Sequence, residues 1–263
     1  MSKFSGVVKT SIKDSIVYRF DMAITLITAP ISILVFYSLW SAIYKYSGVD
    51  VIRGFTLVQL ISYYVLTWVI GIFSYSNIED AISHQVRSGG ITKELLKPLN
   101  YLVSNFFITI GHRVFAVFIE IIPVFAIGFI FFKIKTSLTY LPFFLLSAIF
   151  AFILVYLISA LVGMTAFWLV HNRGIVKIKR VLINFLSGAV IPLTFFPSWF
   201  QKLSYILPFQ YLTFIPVNIW LGKYTIIQTM QFLAIQLLWI AVFYMICVFV
   251  WKAAMKKVAA VGI

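Results

Sequence analysis

A single cysteine, Cys247, among 263 residues has no partner within the chain, so an intrachain disulfide is excluded and a metal site is not expected. Charge is scarce as well: Asp, Glu, Lys and Arg together make up 11% of the chain, and only seven side chains are acidic. The loop GxxxxGK[ST] is absent, so the chain has no means of its own to hold ATP in the P-loop manner. GxSxG, HExxH and paired-cysteine patterns are missing too. His84, His112 and His171 are scattered and fall near the ends of apolar runs, where they read as interfacial residues. The N-terminal stretch has no short apolar block followed by a small-residue cleavage site, so a cleaved signal peptide is not expected. The alternating short segments of a membrane β-barrel are also lacking.

What the chain has in abundance is apolar length. It is 62% hydrophobic, with a mean hydropathy of +1.04, whereas soluble domains stay near about half apolar. Lipid is therefore the expected solvent, and within it only helices or closed barrels satisfy the backbone. Runs of about 20 residues cross a hydrocarbon core of about 30 Å. Six such spans are expected, near Met22–Tyr44, Phe55–Tyr75, Ile110–Phe132, Leu141–Val170, Val181–Phe196 and Thr229–Trp251. The fold class is an all-α integral membrane protein, one transmembrane domain over residues 1–263.

A net charge of +14 would suggest nucleic acid in a soluble protein. Here it reads as membrane orientation. With the six spans in place, one side carries 15 Lys and Arg residues and the other 6, namely Lys45, Arg53, Lys133, Lys135, Lys202 and Lys223. The richer side is expected to be cytoplasmic and to hold both termini. That makes a multi-pass protein of the plasma (inner) membrane, with no nucleic-acid partner.

Three segments depart from the apolar pattern. In residues 1–21, Phe4, Val7, Val8, Ile12 and Ile16 fall on one side of a helical wheel, opposite Lys3, Lys9, Thr10 and Lys13. Such a helix suits the headgroup plane of anionic lipid; it is either a plain anchor or part of a moving device. The second is residues 76–104, which include "ISHQVRSGGITKELLKPLN" from Ile82 to Asn100. Ser76 and Glu79 have capping-box spacing, Glu79 and Asp80 suit a helix N-terminus, and Arg87 its last turn. Gly89 suits a left-handed helix end, with Gly90 after it. A second short helix is expected with Thr92 as cap, running through Lys93, Glu94, Leu95 and Leu96; Pro98 would stop it and open the next helix. This cytoplasmic stretch is either a solvated connector or a docking element. Its length of about 30 residues favours docking, since helix connections usually take 2–8.

The third segment, residues 192–220, follows Gly188 and carries Pro192, Pro197, Pro208 and Pro216. It is too apolar for a solvated loop and too interrupted for one span. A re-entrant outer hairpin covered by protein is expected, with a simple outer loop rimmed by Trp199, Tyr205, Tyr211 and Trp220 as the alternative. Inside the spans, Glu120 lies seven residues after Arg113, and two readings stand: an internal ion pair, or a proton- or substrate-linked site. Gln59, Asn184 and Gln236 either line a path or hydrogen-bond between helices.

These features resemble the permease subunits of ABC exporters of type-2 architecture, in particular bacterial and archaeal permeases encoded in pairs beside an ATPase. The similarity covers essentially the whole chain. Its most specific parts are "HQVRSGGITKELLKPLN" and the proline-punctuated "SGAVIPLTFFPSWF" before the last span. The resemblance implies an ATPase-coupling region at Glu79, Asp80, His84, Arg87, Gly89, Gly90, Lys93, Glu94, Leu95 and Pro98. It also implies an exit-closing hairpin at Pro192–Trp220, a second permease chain, identical or homologous, and two copies of a separate ATPase that bind ATP and Mg. The chain itself would hold no cofactor and catalyse nothing. An ion-coupled secondary transporter using Glu120 and Arg113 is the alternative function.

Overall fold

The computed structural model describes residues 3–15, 19–132, 139–169 and 171–260. Lys133, Lys135 and Val170, which entered the span and charge assignments above, lie outside that set, as do Ser2 and residues 16–18 of the expected amphipathic segment. The elements in chain order begin with helices α1 (Lys3–Ser15) and α2 (Arg19–Ser47) and a two-stranded hairpin, β1 (Val51–Ile52) and β2 (Phe55–Thr56). Helices α3 (Leu57–Ser74), α4 (Ile78–Arg87), α5 (Ile91–Leu95), α6 (Tyr101–Ala116) and α7 (Ile122–Phe132) follow. The remainder comprises α8 (Leu141–Met164), α9 (Arg173–Leu186), α10 (Ser198–Ile206), α11 (Phe214–Trp220) and α12 (Ile226–Ala260).

Among the described residues, five helical stretches are long and apolar enough to cross a membrane: Ile24–Ser47, Leu57–Arg87, Tyr101–Phe132, Leu141–Phe167 and Ile226–Val258. The second joins α3 to α4 across a short break, and the third joins α6 to α7 through a π-helical turn at Val117–Ile121. More than half of the α3 and α8 windows is buried, against 17% for α2 and α12. The inner pair is therefore α3 and α8, and α2, α6–α7 and α12 surround it. Lipid tails are as apolar as leucine, so packing and interhelical hydrogen bonds must specify this arrangement.

Val181–Phe196, expected as the fifth span, is not one helix. α9 ends at Leu186, Gly188 takes φ +79°, and the chain turns through Leu193–Phe195 before α10. The apolar average over those residues concealed the two breakers, Gly188 and Pro192, and the half of α9 that carries Lys177, Lys179 and Arg180.

The two ends of the bundle differ. One end holds α4 and α5, where Ile78, Ile82, Ile91, Tyr101, Tyr156, Met164 and Phe167 form a core cluster joined by Cys247 and Ala254 of α12. The other holds the β-hairpin, whose Arg53–Gly54 turn has positive φ at both residues as a two-residue hairpin requires. There Trp40, Phe55, Tyr63, Tyr64, Leu193, Tyr211, Phe214 and Trp220 make the largest cluster. The N-terminal α1 is amphipathic as expected, and it packs along α6, with Ser11 and Val8 against Gly111.

Candidate coupling site at the α4–α5 elbow

Helix α4 begins without the capping box its sequence suggests. Asn77 is its N-cap and makes no side-chain cap bond, while Ser76 Oγ accepts from the Ile78 amide at 3.4 Å. The Glu79 carboxylate has a stronger partner. It is 1% exposed and ion-paired with Lys179 of α9, whose ammonium also donates to Ser159 Oγ of α8 at 2.9 Å. A carboxylate in such an apolar setting is held far better by a cation than by a backbone amide. That ion pair joins residues 100 positions apart, which no local spacing rule can register.

More ties surround it. Ser83 Oγ donates to the Glu79 carbonyl at 2.5 Å, and Asn172 Nδ2 donates to Ser83 Oγ at 2.7 Å. At the crossing of α4 and α8 stands Gly163: a Cβ there would lie 2.8 Å from Glu79 Cα and 2.9 Å from Ile82 Cδ1. Glycine alone permits so close an approach. Asp80, one residue after the buried carboxylate, is solvent-facing and 3.8 Å from Arg180, a pair worth little in water.

The elbow itself matches the sequence reading at its C-terminal side. Ser88 caps α4 and Gly89 adopts φ +70°, a left-handed position where a side chain would be strained. Arg87 Nε donates back to the Ser83 carbonyl at 3.2 Å. Helix α5 starts two residues earlier than expected: Gly90 is its N-cap, and Thr92 lies inside the helix, donating to the Gly89 carbonyl at 3.0 Å. Pro98 does not open the next helix either. Asn100 caps α6, accepting from the Val103 amide at 3.2 Å, because an Asx side chain supplies the acceptor that proline lacks.

The register shift decides which leucine is presented. Leu95 packs against the core beneath, whereas Leu96 is 84% exposed. It stands beside Lys93, Lys97 and Pro98, all exposed, with Arg87, Ser88 and Gly89 alongside. Lys97 is paired with Glu94 at 2.6 Å. Between α4, α5 and α6 a polar cleft of about 390 Å³ opens, lined by His84, Gln85, Glu94, Lys97, Tyr101 and Asn105. The coupling residues named from sequence thus converge on one small surface, except for Glu79 and Leu95, whose side chains turn inward. Leu96, Lys179, Ser159 and Gly163 were not singled out. Only the register of α5 exposes the first, and only the tertiary fold assembles the others.

The residues suspected of lining a path are not brought together. Gln59 forms a capping box with Thr56 at the β-hairpin end, with bonds of 3.1 and 3.3 Å. Arg113 donates to the Ile72 carbonyl at 2.7 Å and lies over the Tyr75 ring, closing the C-terminus of α3. Glu120 is buried in the π-helical turn beside Thr25 of α2. Among the described residues no ion pair joins it to Arg113. Seven residues rise about 10.5 Å, and the π-helical turn alters the helix face between them. Asn184 is exposed, and it contributes its carbonyl to the turn amides of Ala189 and Val190. Gln236 is a genuine interhelical tie, donating to the carbonyls of Ser147 and Tyr211 at 2.9 and 3.0 Å.

Each proline of the 192–220 segment sits at an element start: Pro192 and Pro197 precede helical turns, Pro208 opens the turn Pro208–Leu212, and Pro216 is in the first turn of α11. Phe195 packs on Trp40 and Phe55 near the β-hairpin, Tyr211 bonds Gln236 ten residues into α12, and Gly222 returns beside Tyr140.

A bundle of apolar helices with a stiff polar elbow at one end defines a multi-pass membrane protein of the transporter type. The chain belongs to the ABC-2 family: the family model described as ABC-2 family transporter protein matches residues 16–262. It is accordingly a permease component of an ABC transporter. Compared with curated proteins and with solved structures, the chain finds no significant match in either.

Proposed function

We propose that the chain is the transmembrane permease subunit of an ATP-driven exporter, in which work enters at the α4–α5 elbow. Family membership makes a separate ATPase the natural partner, and the observation that carries the docking surface is Leu96. A leucine 84% exposed at the tip of a capped, hydrogen-bonded polar turn is the kind of apolar anchor that a protein pocket desolvates. Around it, His84, Arg87, Lys93 and Lys97 supply a basic rim. Two ATPase copies bind ATP and Mg, close on them, and press the elbow. A second permease chain completes the path.

On this reading the elbow end is cytoplasmic, both termini lie on that side of the plasma membrane, and α1 rests at the lipid interface. The segment 192–220 is the re-entrant hairpin that closes the outer exit, with α9 and the turn at Gly188 completing the fifth crossing. Export is the expected direction. The alternative of ion coupling through Arg113 and Glu120 gains no support from their separate engagements.

The test is purification of the tagged chain in mild detergent, followed by ATPase assays in proteoliposomes. An ATPase subunit should co-purify, and Arg87→Glu and Leu96→Asp should each insert normally yet lower its stimulation by about tenfold, the loss of roughly 1.4 kcal/mol at a contact anchor. Full stimulation in both variants would refute the elbow as the coupling surface.

A further inference from the structure

Helix α9 is anchored at its two ends and bare along one side. At the elbow end Lys179 is buried against Glu79, and Asn172, the residue before α9, holds Ser83 of α4. At the far end the Ser187 carbonyl accepts from the Phe214 amide of α11 at 3.0 Å, and the Gly188 carbonyl accepts from Tyr63 Oη at 2.7 Å. Between them Ile178, Val181, Leu182 and Phe185 form a stripe that is 43–60% exposed, so among the described residues no helix grips that face. Lys179 and Ser187 are eight residues apart, about 12 Å along one stiff helix.

The contacts of α4 with its two supports differ in kind. Against α8 it is apolar packing: Gly163 stands at the crossing, and Ile78 and Ile82 share a buried cluster with Tyr156 and Met164 of α8. Against α9 it is a desolvated ion pair, the contact in this region least able to separate, because parting it strands two charges out of water. A push on α4 must carry Lys179 with it.

We infer that Lys179 is a positioning residue of the transport cycle: it latches α4 to α9, so that displacement of the elbow is delivered along α9 to the α11 segment at the opposite end. This rests on the elbow being where the ATPase acts. The connection assigns α9 the part of a pushrod and makes Glu79 an internal coupler in place of a docking residue.

The experiment is hydrogen exchange by mass spectrometry on the chain complexed with its ATPase in nanodiscs, nucleotide-free against ATP–vanadate-trapped. In the wild type, exchange should change both in peptides over 84–96 and in peptides over 207–222. With Glu79→Gln and Lys179→Met combined, the elbow change should persist and the 207–222 change should be lost; exchanging the two charges (Glu79→Lys with Lys179→Glu) should restore it. An independent variant leaves the pair intact and softens the rod, Val181→Gly with Leu182→Gly at exposed positions, and it too should lose only the far response. A far response undiminished in both the neutral-pair and the glycine variants overturns the proposal. If the wild-type elbow itself shows no nucleotide response, the elbow reading fails first and the pushrod falls with it.

Discussion

The two ends of this bundle solve one problem with opposite chemistry. At the elbow, the main polar tie in the interior is ionic, Glu79 with Lys179 and Ser159. At the other end, turns and prolines free backbone carbonyls within an aromatic cluster, and neutral side-chain amides satisfy them. Gln201 donates to Thr194 and Phe196, Gln210 to Tyr205, Asn218 to Phe214, and Gln236 to Ser147 and Tyr211. An amide donates without needing a counter-charge, so it suits a segment that folds into apolar surroundings. A charge pair is costlier to form and much costlier to part, which suits a joint that must not slip.

That contrast is open to direct attack. The largest effect should come from Lys179→Ala, which leaves the Glu79 carboxylate buried alone; about 3–5 kcal/mol is expected, seen as a steep fall in Tm and folded yield in detergent. Replacing the pair together by Gln and Met should recover most of it. Gly163→Val would drive a branched side chain into the α4 backbone and Ile82, costing roughly 1–3 kcal/mol by the same thermal measurement. At the opposite end Gln236→Leu strands the Tyr211 carbonyl and removes the acceptor of the Ser147 hydroxyl; it should cost about 1–3 kcal/mol, with no shortfall in ATPase binding.

The smallest effect concerns Lys223, in the loop after α11, which donates to the Gly54 carbonyl at 2.8 Å and covers the Phe55 ring. Burial pulls its ammonium down from 10.5 to about 8. Its folded pKa is thus below the unfolded one, so the folded form sheds the proton first. Stability should therefore rise as pH climbs from about 8 toward 10.5, by roughly 1 kcal/mol after solvent screening. In Lys223→Met this component of the pH dependence should vanish from the difference in Tm profiles.

How much of this was legible in sequence follows the range of the forces. Signals carried by one residue's own backbone came through: Gly89 ends α4 in a left-handed turn, and every proline from Pro192 to Pro216 marks an element start. Local side-chain signals came through only where nothing distant competed. Ser76 and Glu79 have the capping-box spacing, as do Thr56 and Gln59; the second pair forms the box, while Glu79 is claimed by a lysine 100 positions away. Hydropathy cast Val181–Phe196 as one helix because a mean over it cannot weigh one glycine turn. The candidate surface was drawn over the stretch that forms the elbow, but Leu96 was told from Leu95 only once α5 was seen to start at Ile91, two residues earlier than a Thr92 cap implies.

The most direct test of the central claim is photocrosslinking from two single positions in the assembled transporter, Leu96 at the elbow tip and Trp199 on the exposed face of α10. The account predicts an ATPase adduct from position 96 that strengthens on nucleotide trapping, and none from position 199. An adduct from 199 with none from 96 would contradict it.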